Sequence, residues 1–287
     1  MSSVLFDTPG PKAVARNRVL SVVTLLVVVA IIGFVIYRFA ESGQFQARKW
    51  QLFSFPLVQQ TLLQAIGATL SAFATAAVFS LVLGIVLAFG RLSDRRWISV
   101  PCLAFTELFR AVPLLILMMI MYYGLPTLGV QGISPFIAVV VGLTLYNGSV
   151  LAEVFRAGIE SLPRGQKEAG FAIGLRKSTV MTSILLPQAV RAMLPVIIAQ
   201  LVVILKDTAL GFIVTYNEIL FQAKYFGSQA QYGSPIIPAA IIAGVIYVGL
   251  CLLLAGVAKF LESRMRRNQR IAKGTRAPVA AGSAAGD

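Results

Sequence analysis

Histidine is absent from the sequence. That excludes imidazole acid–base catalysis and histidine-ligated metal sites. Cysteine is nearly absent. Cys102 and Cys251 both fall inside apolar runs, where they read as small core residues rather than a disulfide or a metal pair. Charge is scarce as well. Only 13% of residues are charged, against roughly 25% in a soluble domain. No GxxxxGK[ST] phosphate loop occurs, so ATP hydrolysis by that route is excluded. There is no zinc spacing and no nucleophile elbow. With no catalytic set in view, the chain is not expected to be an enzyme or to hold a cofactor or metal of its own.

What is present is apolar. Hydrophobic residues make up 57% of the 287 positions, and the mean hydropathy is +0.83. This describes an all-α polytopic membrane protein. The net charge of +14 does not imply nucleic acid as a partner, because the basic residues flank apolar runs as membrane-loop charge does. The apolar run from Val19 to Tyr37 is too long for a signal-peptide core and is followed by no small-residue cleavage site, so it is expected to span the membrane.

About six transmembrane helices are predicted, near 19–40, 58–90, 97–124, 134–156, 189–215 and 235–258. The second has frequent small residues (Gly67, Ala68, Ser71, Ala74, Ala76, Ala77, Ser80, Gly84), which suit close helix packing. Residues 1–18 and 263–287 read as tails, the second basic and then low in complexity. Most of the 25 Lys and Arg cluster before the first span, after the second, between the fourth and fifth, and after the sixth; Arg38, Arg48, Lys49 and Lys224 lie on the other side. Both termini, and the stretch 161–187, are therefore expected in the cytoplasm.

Residues 161–187, SLPRGQKEAGFAIGLRKSTVMTSILLP, are a polar interruption with internal order. Ser161 and Pro163 form a helix-start signal. Gly174 stands where that helix stops. Val180, Met181, Ile184 and Leu185 then recur on one helical face, and Pro187 is expected to close the second helix. A helix–turn–helix of this kind is a docking handle for another protein.

Four ionisable residues fall inside predicted spans: Glu107, Arg110, Lys206 and Asp207. Charge in a bilayer is expensive, so each is a functional candidate. Glu107 and Arg110 are three apart and can pair, which leaves a structural role open beside a ligand role. Gln200 lies two helical turns before Asp207, on the same face. Gln200 and Asp207, with Lys206, Thr208 and Arg110 nearby, form a set that could bind a zwitterion. Asn147 and Glu153 are weaker candidates, for helix packing and for an ion pair with Arg156 respectively.

The sequence Glu168–Ala169–Gly170, then Gly174, then Ile184–Leu185–Leu186–Pro187, resembles the EAA loop of binding-protein-dependent ABC importer permeases. Every spacing matches; Gly170 replaces the second alanine. TELFRAVPLL at 106–115 and LKDTAL at 205–210 resemble the polar amino acid permeases in particular, and the likeness covers about 61–262. The first span lies outside the shorter, five-span form of that subfamily. The N-terminal MSSVLFDTPGPK resembles that of actinobacterial glutamate permeases. The resemblance implies a type I ABC importer transmembrane domain working by alternating access, with glutamate or another polar amino acid as substrate. It implies partners: ATP-binding cassette ATPase subunits that bind the ATP, an extracytoplasmic substrate-binding protein, and a second permease subunit, related or identical. It assigns Glu168, Ala169, Gly170, Gly174 and Pro187 to ATPase coupling. The rival reading is an ion-coupled secondary transporter using Glu107 or Asp207 as a relay.

Overall fold

The computed structural model describes residues 10–274, and among these every regular element is helical. The principal helices are α1 (Pro11–Glu41), α2 (Pro56–Arg91), α3 (Arg96–Ala111), α4 (Leu114–Met119), α5 (Pro135–Glu160), α6 (Arg164–Ala172), α7 (Leu186–Asp207), α8 (Ile219–Gly227) and α9 (Ile236–Gly274). Among the described residues, five stretches are long and apolar enough to cross a membrane, and α3 with the stretch Leu114–Thr127 makes a sixth only as a bent pair, turned by 98°.

The bend corrects the straight span expected at 97–124. Pro113 disfavours helical geometry in the residue before it, and Val112 is extended, with φ −78° and ψ 126°. The chain therefore leaves α3 at Ala111 and restarts at Leu114. A one-turn π-helix at Ile120–Gly124 carries α4 on to Thr127.

The limits of the other spans follow local signals. α1 and α2 each open on a proline, whose missing N–H costs nothing in a first turn. Ser134 caps α5, its Oγ accepting from the Ile137 N–H at 3.2 Å. α1 begins at Pro11, inside the expected tail, and none of its residues is buried. α9 continues to Gly274, so part of the basic stretch expected as tail is helical; 1–9 and 275–287 lie outside the described residues.

α5 is the central helix of the packing, with thirteen buried positions including Ala138, Asn147 and Phe155. Its contact with α2 is close because glycines face each other's neighbours. A Cβ on Gly84 would stand 2.8 Å from Leu151 Cβ, and one on Gly148 would stand 2.8 Å from Leu83 Cδ2. Of the small residues expected to pack in α2, Ala76, Ala77, Ser80 and Gly84 are buried, whereas Gly67, Ser71 and Ala74 are exposed. The largest core cluster joins Ala72 and Ala76 of α2, Met118 of α4, Val139 and Leu143 of α5, and Ile204 of α7.

Candidate functional site

The stretch 161–187 forms a hairpin of helices with one face buried and one exposed. α6 ends in two capping bonds: the Gly174 N–H donates to Phe171 O at 2.9 Å and the Leu175 N–H to Gly170 O at 3.2 Å. This is a Schellman motif, which needs a left-handed residue at the turn. Gly174 supplies it with φ +76°. The second helix then places Val180, Met181 and Leu185 in a cluster with Ile159 and Ala189, against Phe89, Leu92 and Ile184. Gly170 is where the two arms meet; a Cβ there would stand 2.8 Å from Val180 Cγ2. The glycine in place of the second alanine thus has a steric reason.

Pro187 does not close the second helix, contrary to the expectation. After Lys177–Thr179 the chain makes a π-helical turn, Val180–Leu185, and passes directly into α7. Proline lacks only an N–H that a first helical turn leaves unbonded, so Pro187 sits at the seam without breaking it. The hairpin's second arm and the span it leads into are one continuous apolar stretch, Lys177–Val214.

The outer face of α6 is exposed at Arg164, Lys167, Glu168 and Ala169. Phe171 and Ile173 stand beside them, 41% and 75% exposed. The hairpin is tied to the α2–α3 turn by Lys177, whose Nζ lies 2.5 Å from Asp94 Oδ1 and donates to Leu92 O at 3.2 Å. The hydrogen-bonded Lys177 ammonium holds the Asp94 carboxyl below the usual carboxylate range.

The six candidate ligand residues fall into three neighbourhoods. Glu107 and Arg110 pair with each other at 3.3 Å. They also join a wider network at the end of the molecule that carries the hairpin. Arg91 at the end of α2 has only 10% of its side chain exposed and reaches Glu153 of α5 at 2.6 Å and Glu107 of α3 at 3.8 Å. Glu153 also pairs with Arg156. In the sequence Arg91 belongs to a short charged turn with nothing to set it apart from its neighbours.

Gln200 forms the second neighbourhood. Its Nε2 donates to Asn147 Oδ1 at 2.7 Å, and Asn147 Nδ2 donates to Leu143 O at 3.0 Å. Nearby on α5, the buried Oγ1 of Thr144 has no hydrogen-bond partner among the described residues. Lys206, Asp207 and Thr208 form the third, at the far end of α7. Lys206 is exposed and Asp207 half-buried. Thr208 is wholly buried and donates to Leu205 O at 2.6 Å. At about 1.5 Å per residue, Glu153 to Asn147 is about 9 Å along α5, and Gln200 to Asp207 about 10 Å along α7. The three neighbourhoods therefore make a polar track of roughly 20 Å rather than one pocket.

Sequence reasoning misses Glu218, which stands in a polar loop. The carboxylate is wholly buried and caps α8. The signal is local: an acid directly before the apolar run Ile219–Leu220–Phe221.

A bundle of membrane-length helices with a helical hairpin at its basic end and a polar track through it defines the transmembrane part of a transporter. The family model for the inner membrane component of binding-protein-dependent transport systems matches residues 80–267, and the chain belongs to that family. It is 39% identical over 236 residues to the glutamate transport system permease protein GluD of Corynebacterium glutamicum, covering 81% of this chain and 86% of the relative. It is 34% identical over 211 residues to the arginine transport system permease protein ArtQ of Bacillus subtilis, covering 72% and 93%. Among solved structures it resembles an amino acid ABC transporter with TM-score 0.66 and 26% identity, covering 74% of this chain and 98% of that one. The MetNI methionine ABC transporter, at 18% identity and TM-score 0.61, shows the same fold, covering 75% and 98%.

Proposed function

We propose that this chain is the permease subunit of an ATP-driven importer of a polar amino acid, with glutamate as the first candidate. The observation that carries the reading is the hairpin. One of its faces is packed into the bundle through Val180, Met181 and Leu185. The other presents an apolar tip, Phe171 and Ile173, rimmed by Arg164, Lys167 and Glu168. An exposed apolar patch with a charged rim is a protein contact. The partner that fits is an ATPase subunit, since the sequence carries no phosphate loop of its own.

The Lys and Arg distribution supports cytoplasmic placement of both termini and of the hairpin. Because the hairpin's second arm runs unbroken into α7, a displacement of the handle is carried along the helix that holds Gln200 and Asp207. A second permease subunit completes the path, and an extracytoplasmic binding protein delivers the amino acid to the Asp207 end. In that path Asp207 meets the ammonium, while Lys206, Arg110 and Gln200 serve carboxylate and amide groups. Glu107 holds Arg110 in place, and Thr208 shapes the wall without contacting substrate. The permease contributes differential binding between states and no covalent chemistry. The domain of this activity is about 61–262, and α1 is an additional span.

The test is uptake by proteoliposomes holding the complete transporter. Glu168→Lys is expected to abolish ATP-dependent uptake while leaving membrane insertion intact, and normal transport by it would remove the docking role. Asp207→Ala is expected to lose uptake while retaining ATPase binding. Unchanged uptake kinetics would remove Asp207 from the path.

A further inference from the structure

Glu218 stands between the spans that end at Val214 and begin at Ile236, and its environment is unusual. None of it is exposed. Its Oε1 accepts from the Phe221 N–H at 2.7 Å, and its Oε2 from the Leu220 N–H at 2.7 Å and from the Tyr247 hydroxyl of α9 at 2.6 Å. The next residue, Ile219, donates its N–H to Thr69 Oγ1 of α2 at 3.4 Å. Just before it, the Tyr216 hydroxyl donates to Ala68 O of α2 at 2.7 Å. The connecting turn is held in a left-handed conformation at Thr215, φ 57°. One carboxylate thus joins the start of α8 to α9, within a cluster that also fastens α8 to α2.

Capping alone does not call for glutamate. Ser, Thr, Asp and Asn are the preferred caps, and each is too short to bond both backbone N–H groups and the hydroxyl of another helix. Among the described residues no Lys or Arg forms an ion pair with Glu218. A buried charge held by three donors and no cation is costly.

We propose that Glu218 is a positioning residue of the transport cycle, a pin whose carboxyl group holds α8 against α9 and α2 and so keeps the end of the bundle remote from the hairpin closed. The inference rests on the importer reading. Burial pushes the Glu218 carboxyl up to about 7, outweighing the three hydrogen bonds that favour its ionised form. The buried site therefore binds the proton more tightly than an exposed carboxylate does, so the pin is firmest with Glu218 protonated and loosens as the carboxyl ionises near neutral pH. The titratable groups facing it are Tyr247 from α9 and Tyr216 from the connecting turn. α2 presents the uncharged Thr69, the Ala68 carbonyl and Ser71, whose Oγ lies 3.4 Å from the Tyr216 hydroxyl. α7 ends in Lys206 and Asp207, neither paired with Glu218. On α8 itself, Lys224 lies over the Phe212 ring at 5.2 Å.

The experiment uses the complete transporter in proteoliposomes, with glutamate as the probe and the pH of the binding-protein side varied from about 6 to about 8, a range centred on the raised pKa. Wild-type uptake is expected to change across this range. Glu218→Gln is expected to assemble normally, to change uptake at pH 8 by about tenfold, the worth of one hydrogen bond to a charged group, and to flatten the pH profile. Tyr247→Phe removes one donor and is expected to shift the profile's midpoint. Identical profiles for wild type and both variants overturn the proposal. So does failure of Glu218→Gln to assemble together with a wild-type profile for Tyr247→Phe, since the carboxylate then serves folding alone. Absence of ATP-dependent glutamate uptake by wild type refutes instead the substrate assignment on which the test stands; repeating the titration with arginine or glutamine as the probe then reads the pin independently.

Discussion

Replacing Gly174 by alanine tests the coupling hairpin at its most constrained point. The residue has φ +76°, and no atom of the surrounding fold lies within 4 Å of where a Cβ would stand, so the added methyl meets no clash. The penalty is purely that of backbone conformation, about 1–2 kcal/mol for an L-residue in the left-handed region. That strain acts against the two capping bonds from Gly174 and Leu175 and against the packing of Val180 on Gly170. About 1–2 kcal/mol corresponds to a factor of roughly 5–30 in an equilibrium. If docking requires the closed hairpin, the affinity of the ATPase subunit for the permease should weaken by that factor, measured by titrating purified ATPase onto the permease in lipid nanodiscs. Gly165→Ala is the internal control. It lies in α6, has open space around its Cβ position and no positive φ, and should be neutral or favour the helix by up to about 1 kcal/mol. Equal affinity for Gly174→Ala and wild type would refute the reasoning, as would an equal loss in Gly165→Ala.

Two other perturbations test the rest of the bundle. Arg91→Ala should lower thermal stability by about 1–3 kcal/mol, the cost of losing a hydrogen bond to a charged group, because Arg91 donates from α2 to the partly buried Glu153 on α5 and lies 3.8 Å from Glu107 on α3. Arg91→Lys should recover only part of it, since an ammonium lacks the guanidinium fork; full recovery in a thermal melt would count against the network. Stability should also depend on pH through Glu218, whose carboxyl rises from an ordinary 4.5 to about 7 on folding. The folded state binds the proton more tightly, so this contribution is complete below pH 4.5 and is lost as pH rises through about 7. The difference in melting temperature between wild type and Glu218→Gln should therefore move against wild type over that window, and a constant difference would show that Glu218 keeps its ordinary pKa.

The features legible in the sequence are those whose cause is local. Gly174 can be read as a turn because glycine is the residue that adopts its φ without strain, and Val180, Met181 and Leu185 show their buried face by spacing alone. Pro187 is ambiguous in the sequence because proline suits a helix's first turn as well as its end, and the π-helical turn that decides between them has no plain sequence mark. Pro113 is visible as a break, yet the 98° size of the bend and the placing of Glu107 3.8 Å from Arg91 of α2 are set by packing between helices distant in sequence. Glu218 shows the same limit more sharply. Its cap on Leu220 and Phe221 is local, but Tyr247 lies 29 residues away, and Thr69, which bonds the adjoining Ile219, lies 150 away. A loop acid and a buried pin differ only in such partners. A polar residue directly before an apolar helix, between two membrane-length helices, is therefore worth treating as buried until its partners are known. In this bundle that rule singles out the carboxylate on which the end remote from the hairpin is fastened, and it places the two moving parts of the proposed cycle at opposite ends of the same set of helices.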